Sequence, residues 1–143
     1  TDASRLSQDY LDRHREFKRQ DRFGLSEGAQ HVVYAVTCVI DAGTGAADFP
    51  SIAFIMNHED AAHPIPVPMP CLEIVDPLEP DFWVRRLSVT WLGRREHRSF
   101  PEWVAEPLFY DRLTDGVHEA REVWENRRLQ TEHAAGQAAV VSW

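Results

Sequence analysis

The chain has 143 residues, a length suited to one domain with a single sizeable core. Five Trp, seven Phe and three Tyr supply large core side chains, which excludes a disordered chain over most of the length. The net charge of −8 makes nucleic acid an unlikely main ligand, because binding to phosphates requires a broad basic surface.

The composition also predicts where the protein functions. No apolar run approaches the roughly 20 residues that cross a bilayer, and the first residues show no signal-peptide pattern. We therefore expect a soluble, cytoplasmic protein that does not bind a membrane. Cys38 and Cys71 are the only cysteines, and in this setting we expect reduced core residues rather than a disulfide.

The first predicted element is a helix from about Ser4 to Phe23. Leu6, Tyr10, His14 and Phe17 recur at spacings of four, four and three, which places them on one helical face. His14 is expected to be a partly buried structural residue rather than a ligand.

Two strands follow. The segment His31–Ile40 is apolar at nearly every position, which indicates a central strand covered on both faces. After a glycine-containing loop over Ala42–Pro50, Ser51–Asn57 is predicted as the second strand.

Prolines then occur at every second position from Pro64 to Pro70. Because proline lacks a backbone N–H, this pattern favours an edge segment protected against aggregation. A polyproline ligand is the alternative, but the usual P-x-x-P spacing does not occur here.

The next elements are shorter. Cys71–Val75 is predicted as a third strand, and Leu87, Val89 and Trp91 belong to a fourth strand that ends at Gly93. Ser99 and Glu102 resemble a capping box, so a short helical turn should start there and end before Pro107.

The strongest periodicity predicts a helix over Leu108–Leu129, which Thr114–Gly116 is able to divide. The apolar tail 134–143 is interpreted as a last strand, a docking segment or a frayed end. Docking onto a second copy would give a homodimer.

Together these elements predict a single α+β domain over residues 1–143. Its mostly antiparallel sheet of four or five strands should pack against the N-terminal helix and the long C-terminal helix.

Charge is distributed unevenly. Between Gly24 and Val84 there is no Lys or Arg and there are nine carboxylates, whereas Arg85–Arg98 carries a net charge of +4. Basic residues beside Trp91 are able to bind a phosphate or a single strand of nucleic acid. We favour instead pairing of the arginines with the acidic segment across the fold. Candidate binding residues from both segments are Glu73, Asp76, Glu79, Asp81, Arg94, Arg95 and Trp91.

One short cluster suits metal binding or proton transfer. His58, Asp60 and His63 are able to converge in a loop, and His31 is a candidate to complete the set. Imidazole and carboxylate ligands together suit Zn, Ni, Mn or Fe. A solvated turn between a strand and the proline segment is the favoured alternative, since the spacing is one residue longer than a helical His pair requires.

Three functions remain. The first is a small acidic binding or regulatory protein, of the inhibitor, immunity or chaperone type, that engages a basic partner. The second is a metal-dependent enzyme that uses the histidine cluster, and a hydrolase is one such enzyme. The third is a purely structural subunit of an oligomer.

Overall fold

The computed structural model describes residues 25–26, 28–42, 51–58, 61–90, 93–134 and 138–141. The predicted helix Ser4–Phe23, with His14, lies outside these residues. So do Asp60 and Trp91 of the candidate sites, most of the glycine-containing loop and parts of the tail.

The larger of the two sheets is antiparallel and has five strands in the order β4-β3-β2-β7-β6. Together with the helices it gives an α+β fold, as the sequence predicts. In chain order these strands are β2 (Ala35–Ala42), β3 (Ile52–Ile55), β4 (Ile65–Pro68), β6 (Val84–Thr90) and β7 (Gly93–Ser99).

A second sheet was not predicted. It has three antiparallel strands, β1 (Gln30–Val32), β8 (Ala138–Val141) and β5 (Leu72–Asp76), in the order β1-β8-β5. The described part of the tail is therefore the central strand of a sheet within its own chain. The predicted antiparallel sheet of four or five strands corresponds to the larger sheet. The second sheet was missed because β1 and β8, from the two ends of the described chain, pair with each other and β8 also pairs with β5.

The predicted strand His31–Ile40 divides where the chain passes from one sheet to the other. Val33 and Tyr34 are both buried, and they belong to different hydrophobic clusters. The N–H of Tyr34 donates to the carbonyl of Phe54 at 2.9 Å, so the backbone at this crossing is bonded to the larger sheet. A continuous apolar run cannot reveal such a break, because it has no alternation that the break interrupts.

The two clusters show how the layers stack. The first joins Val36 and Val67 of the larger sheet to Leu72 and Ala139 of the smaller sheet. The second joins Ala35 to the helices, and its large members are Phe100, Trp103, Phe109, Leu113 and Trp124. Because side chains alternate along a strand, the larger sheet lies between the helices on one face and the smaller sheet on the other.

Three helices cover the first of these faces: α1 (Pro101–Ala105), α2 (Phe109–Thr114) and α3 (His118–His133). The predicted long helix is divided by Gly116, whose φ of 79° favours glycine. In this turn the N–H of Val117 donates to the carbonyl of Arg112 at 3.0 Å.

The expected capping box at Ser99 is wrong, although the helix after it is right. Ser99 is fully buried, and its hydroxyl donates to the carbonyl of Tyr34 at 2.8 Å. Phe100 occupies the N-cap without a side-chain bond. Glu102 instead accepts hydrogen bonds from Arg127, with one from Nε at 2.9 Å. The guanidinium of Arg127 donates from both Nε and Nη2 to this carboxylate, which makes a charge-assisted pair with more than one hydrogen bond.

The proline strand β4 is confirmed as an edge of the larger sheet, and a short 3₁₀ turn, Met69–Cys71, follows it. Cys38 and Cys71 are not joined by a disulfide. In the part of the chain that the structure describes, no helix has the length and apolarity needed to cross a membrane.

Candidate functional site

The four candidate carboxylates of the acidic segment lie on β5 and in the turn after it. Two of them, Glu73 and Asp81, are exposed. Val75 and Leu78 lie between them in sequence and are 48% and 64% exposed. We name these four residues the acidic edge, because β5 is an edge strand of the smaller sheet.

Strand alternation explains why Val75 is exposed. The side chains of β5 alternate between a more covered and a more exposed face, and Glu73 and Val75 both lie on the exposed face. The pairing of β5 with β8 also shifts register between Ile74 and Asp76, so Val75 is the additional residue of a β-bulge. A bulge bends its strand, so this edge of the smaller sheet is irregular at Val75.

The other two predicted acidic residues have intramolecular partners. Oδ1 of Asp76 accepts the N–H of Leu78 at 3.0 Å, which fixes the turn. Glu79 forms an ion pair with Arg98, and both side chains are largely buried. Asp76 and Glu79 therefore shape the acidic edge, while Glu73 and Asp81 remain available to a partner.

The arginine cluster lies on the β6–β7 hairpin. Arg98 forms ion pairs with Glu79 and with Glu96, whose Oε1 lies 3.3 Å from Nε of Arg98. Nη1 of Arg85 lies 4.0 Å from Oε2 of the same Glu96. Pairing with the acidic segment is thus confirmed for Arg98. Arg94 and Arg95 lie on β7 opposite Val89 and Ser88 in register, and Trp91 is outside the described residues.

The histidine cluster is partly described. His58 is exposed, whereas His63 is half-buried and Asp60 is not described. Nδ1 of His63 lies 3.0 Å from the carbonyl oxygen of Pro64, which also accepts the hydroxyl of Tyr110 at 2.8 Å. A carbonyl oxygen only accepts, so Nδ1 of His63 is the donor in this contact, and in the neutral imidazole Nε2 is then the nitrogen with the lone pair.

His31 lies close to the same region. Its ring hydrogen-bonds to the backbone of Met56, two residues before His58. Its Nε2 is buried and has no hydrogen-bond partner in the described structure. Burial lowers the pKa of His31, which favours the neutral imidazole that a metal requires. Among the described residues, however, no three His, Cys, Asp or Glu side chains are grouped as a metal site.

Sequence reasoning missed one further histidine, His97 on β7. Its Nδ1 is 2.9 Å from the hydroxyl of Thr37, and its ring packs at 5.8 Å from that of Trp103. Burial lowers the pKa of His97 to about 4. Alternation with Arg95 and Ser99 was the available signal, but the predicted strand stopped at Gly93.

The clearest surface depressions lie along α3 and not beside these candidate residues. One of about 480 Å³ is lined by five residues of α3, and another of about 270 Å³ lies between α3 and Glu102. Both are open surface grooves, and neither encloses a small molecule. The five lining residues of the larger groove are His118, Arg121, Glu122, Glu125 and Asn126.

Comparison of the chain with protein-family models, curated proteins and solved structures gives no match. The function proposed below is therefore inferred from the side chains and charges of this chain alone.

Proposed function

We propose that the protein is a small acidic binding or regulatory protein that engages a basic partner at the acidic edge. The observation that carries this proposal is the juxtaposition of exposed Glu73 and Asp81 with exposed Val75 and Leu78. An inhibitor, an immunity protein or a chaperone would use such a surface.

The two kinds of side chain have different roles in this proposal. Apolar side chains at the centre of an interface contribute most of the affinity, because they leave water on binding. Charged side chains around them raise the association rate and exclude partners of like charge. Val75 and Leu78 would therefore anchor the partner, and Glu73 and Asp81 would select a basic one.

The electrostatic surroundings support the same partner. No Lys or Arg occurs between Gly24 and Val84, so the chain segment around the acidic edge does not neutralise itself. Arg98 forms ion pairs within the fold with Glu79 and Glu96. The charges of Glu73 and Asp81 therefore remain for an external cation or a basic protein.

The test is a titration with a basic amphipathic peptide of alternating Lys and Leu, followed by fluorescence anisotropy. The double variant Glu73→Lys/Asp81→Lys should bind this peptide roughly tenfold more weakly, since each exposed ion pair contributes up to about 1 kcal/mol. Binding by the unmodified protein should weaken as salt is added, because exposed charges are screened.

A charge-matched control separates the acidic edge from net charge. Glu119→Lys/Glu125→Lys changes two exposed carboxylates of α3 by the same total charge. This control should bind the peptide as the unmodified protein does. An equal loss of binding in both double variants, or no binding at low salt, would contradict the proposal.

A metal-dependent function is the second candidate, and the hydrogen bond of His63 to Pro64 favours it. Metal-ligating histidines usually donate one ring N–H to an outer-shell acceptor, and Nδ1 of His63 makes such a bond to the Pro64 carbonyl, which leaves Nε2 for a metal. His58 and the unpartnered Nε2 of His31 would be further ligands, and Asp60 would supply the carboxylate that sequence analysis predicts. Zn, Ni, Mn or Fe suits such a set.

Elemental analysis by mass spectrometry tests this candidate on protein purified without a metal-affinity tag. We expect about one equivalent of a transition metal, and its loss in His63→Ala. His118→Ala is the matched control, because it removes an exposed histidine of α3. A folded protein without metal would leave the cluster as a turn.

A further inference from the structure

The larger sheet has a second edge that proline does not protect. Strand β6 pairs only with β7 among the described strands, and its seven residues include no Pro or Gly. The opposite edge, β4, carries Pro66 and Pro68. Along the outer side of β6 the outward-pointing backbone N–H and C=O groups can pair with another strand.

The side chains of residues 84–89 of β6 are exposed, and three of the seven residues of the strand are apolar. Leu87 and Val89 lie on one face and are 55% and 72% exposed, and Val84 on the other face is exposed as well. An unpaired edge strand that exposes apolar side chains is able to associate with another strand. The pairing of β6 with β7 has no register shift, so β6 is regular where β5 is interrupted by its bulge.

The sequence of β6 is compatible with pairing to itself. In an antiparallel pair with a two-fold axis at Leu87, Arg85 lies opposite Val89 and Arg86 lies opposite Ser88. No arginine then faces another arginine, and Leu87 and Val89 of both copies form one apolar strip. Arg85 also has Glu96 of its own chain at 4.0 Å, which offsets its charge.

We propose that the protein forms a symmetric homodimer by antiparallel pairing of β6 with β6 of a second copy, which joins the two larger sheets into one. Such an interface is isologous and closes at two copies. Pairing between β6 and the acidic edge of another copy would instead continue without limit, and the bulge in β5 interrupts it. The dimer is separate from the proposed function, because β5 and β6 belong to different sheets.

Sedimentation velocity over a dilution series tests this dimer. The unmodified protein should change from dimer to monomer on dilution, and Leu87→Lys/Val89→Lys should remain a monomer at every concentration. Lysine on an edge strand is a common barrier to pairing. Leu108→Lys/Leu129→Lys is the matched control, because Leu108 and Leu129 are 60% and 53% exposed on the helical side of the chain. It should dimerise like the unmodified protein.

Hydrogen exchange on the unmodified protein provides a measurement that does not depend on a variant. Amides of residues 84–90 should gain protection as protein concentration rises, whereas those of β4 should not. The proposal is overturned by a monomer at all concentrations, by a dimer that persists in Leu87→Lys/Val89→Lys, by growth beyond two copies, or by unchanged protection of β6. Association only in the presence of an acidic peptide would also overturn it, and would assign β6 to a different partner.

Discussion

Acidification from about pH 7 to about pH 4 should destabilise the folded protein, and His97 should be the largest single cause, at up to about 3 kcal/mol. The pKa of His97 is lowered from 6.5 to about 4 in the folded chain, because burial disfavours the imidazolium. Denaturant unfolding followed at several pH values measures this change in the free energy of unfolding.

The direction follows from which state binds the proton. Between about pH 6.5 and pH 4 the unfolded chain protonates His97 and the folded chain does not. The unfolded state is therefore stabilised as the pH falls through this window, and the effect levels off near the folded-state pKa. The lowered pKa of His31 acts in the same direction.

The neighbours of His97 explain why its charge is not compensated. Thr37 and Arg86 flank it in register on the adjacent strands, and Trp103 packs against its ring. None of these is a carboxylate that would stabilise an imidazolium.

His97→Gln should flatten the dependence of stability on pH by about one proton over this window, since Gln keeps a polar group for Thr37 and does not titrate. His118→Gln is the matched control, because it removes a histidine whose side chain is mostly exposed. If His97→Gln and the unmodified protein lose stability in parallel on acidification, His97 is not the group that titrates.

Local patterns in the sequence predicted those parts of the fold that depend on neighbouring residues. The proline strand β4, the interruption at Pro107 and the division of the long helix at Gly116 all follow from backbone constraints at single positions. The crossing at Val33 and Tyr34 could not be predicted in the same way. It depends on β8, which is more than one hundred residues away along the chain and supplies the partner of β1.

The candidate sites show the same difference between local patterns and long-range contacts. An absence of Lys and Arg indicated the acidic segment, and the exposed Glu73 and Asp81 agree with it. Which carboxylates would remain available depended on long-range contacts, above all the pairing of Glu79 with Arg98. The exposure of Val75 beside Glu73 follows from local alternation along β5.

The prediction that Ser99 caps a helix failed because of long-range contacts. A serine followed three residues later by a glutamate usually caps a helix. In this chain β7 lies beside β2, so a buried carbonyl of Tyr34 is available to Ser99 and the guanidinium of Arg127 is available to Glu102. The tertiary partners of both residues therefore override the local motif.

Trp124→Ala should destabilise the protein by about 3–5 kcal/mol, a large share of the roughly 5–15 kcal/mol that a domain of ordinary stability has. Trp124 is fully buried on α3, and its ring meets that of Tyr34 edge-on at 5.0 Å. The substitution leaves a cavity between α3 and the residue at which the chain changes sheets. Urea unfolding followed by circular dichroism, which does not depend on Trp fluorescence, measures the loss.

Trp124→Phe and Leu129→Ala show which interaction the loss comes from. The indole N–H of Trp124 is buried and has no hydrogen-bond partner in the described structure, so Phe removes an unsatisfied donor and keeps most of the apolar contact. Trp124→Phe should therefore lose much less stability than Trp124→Ala. Leu129→Ala changes an exposed residue of the same helix and should cost less than about 0.5 kcal/mol. Similar losses in Trp124→Ala and Leu129→Ala would show that α3 does not pack on Tyr34, and the helical layer that covers His97 would then need a different anchor.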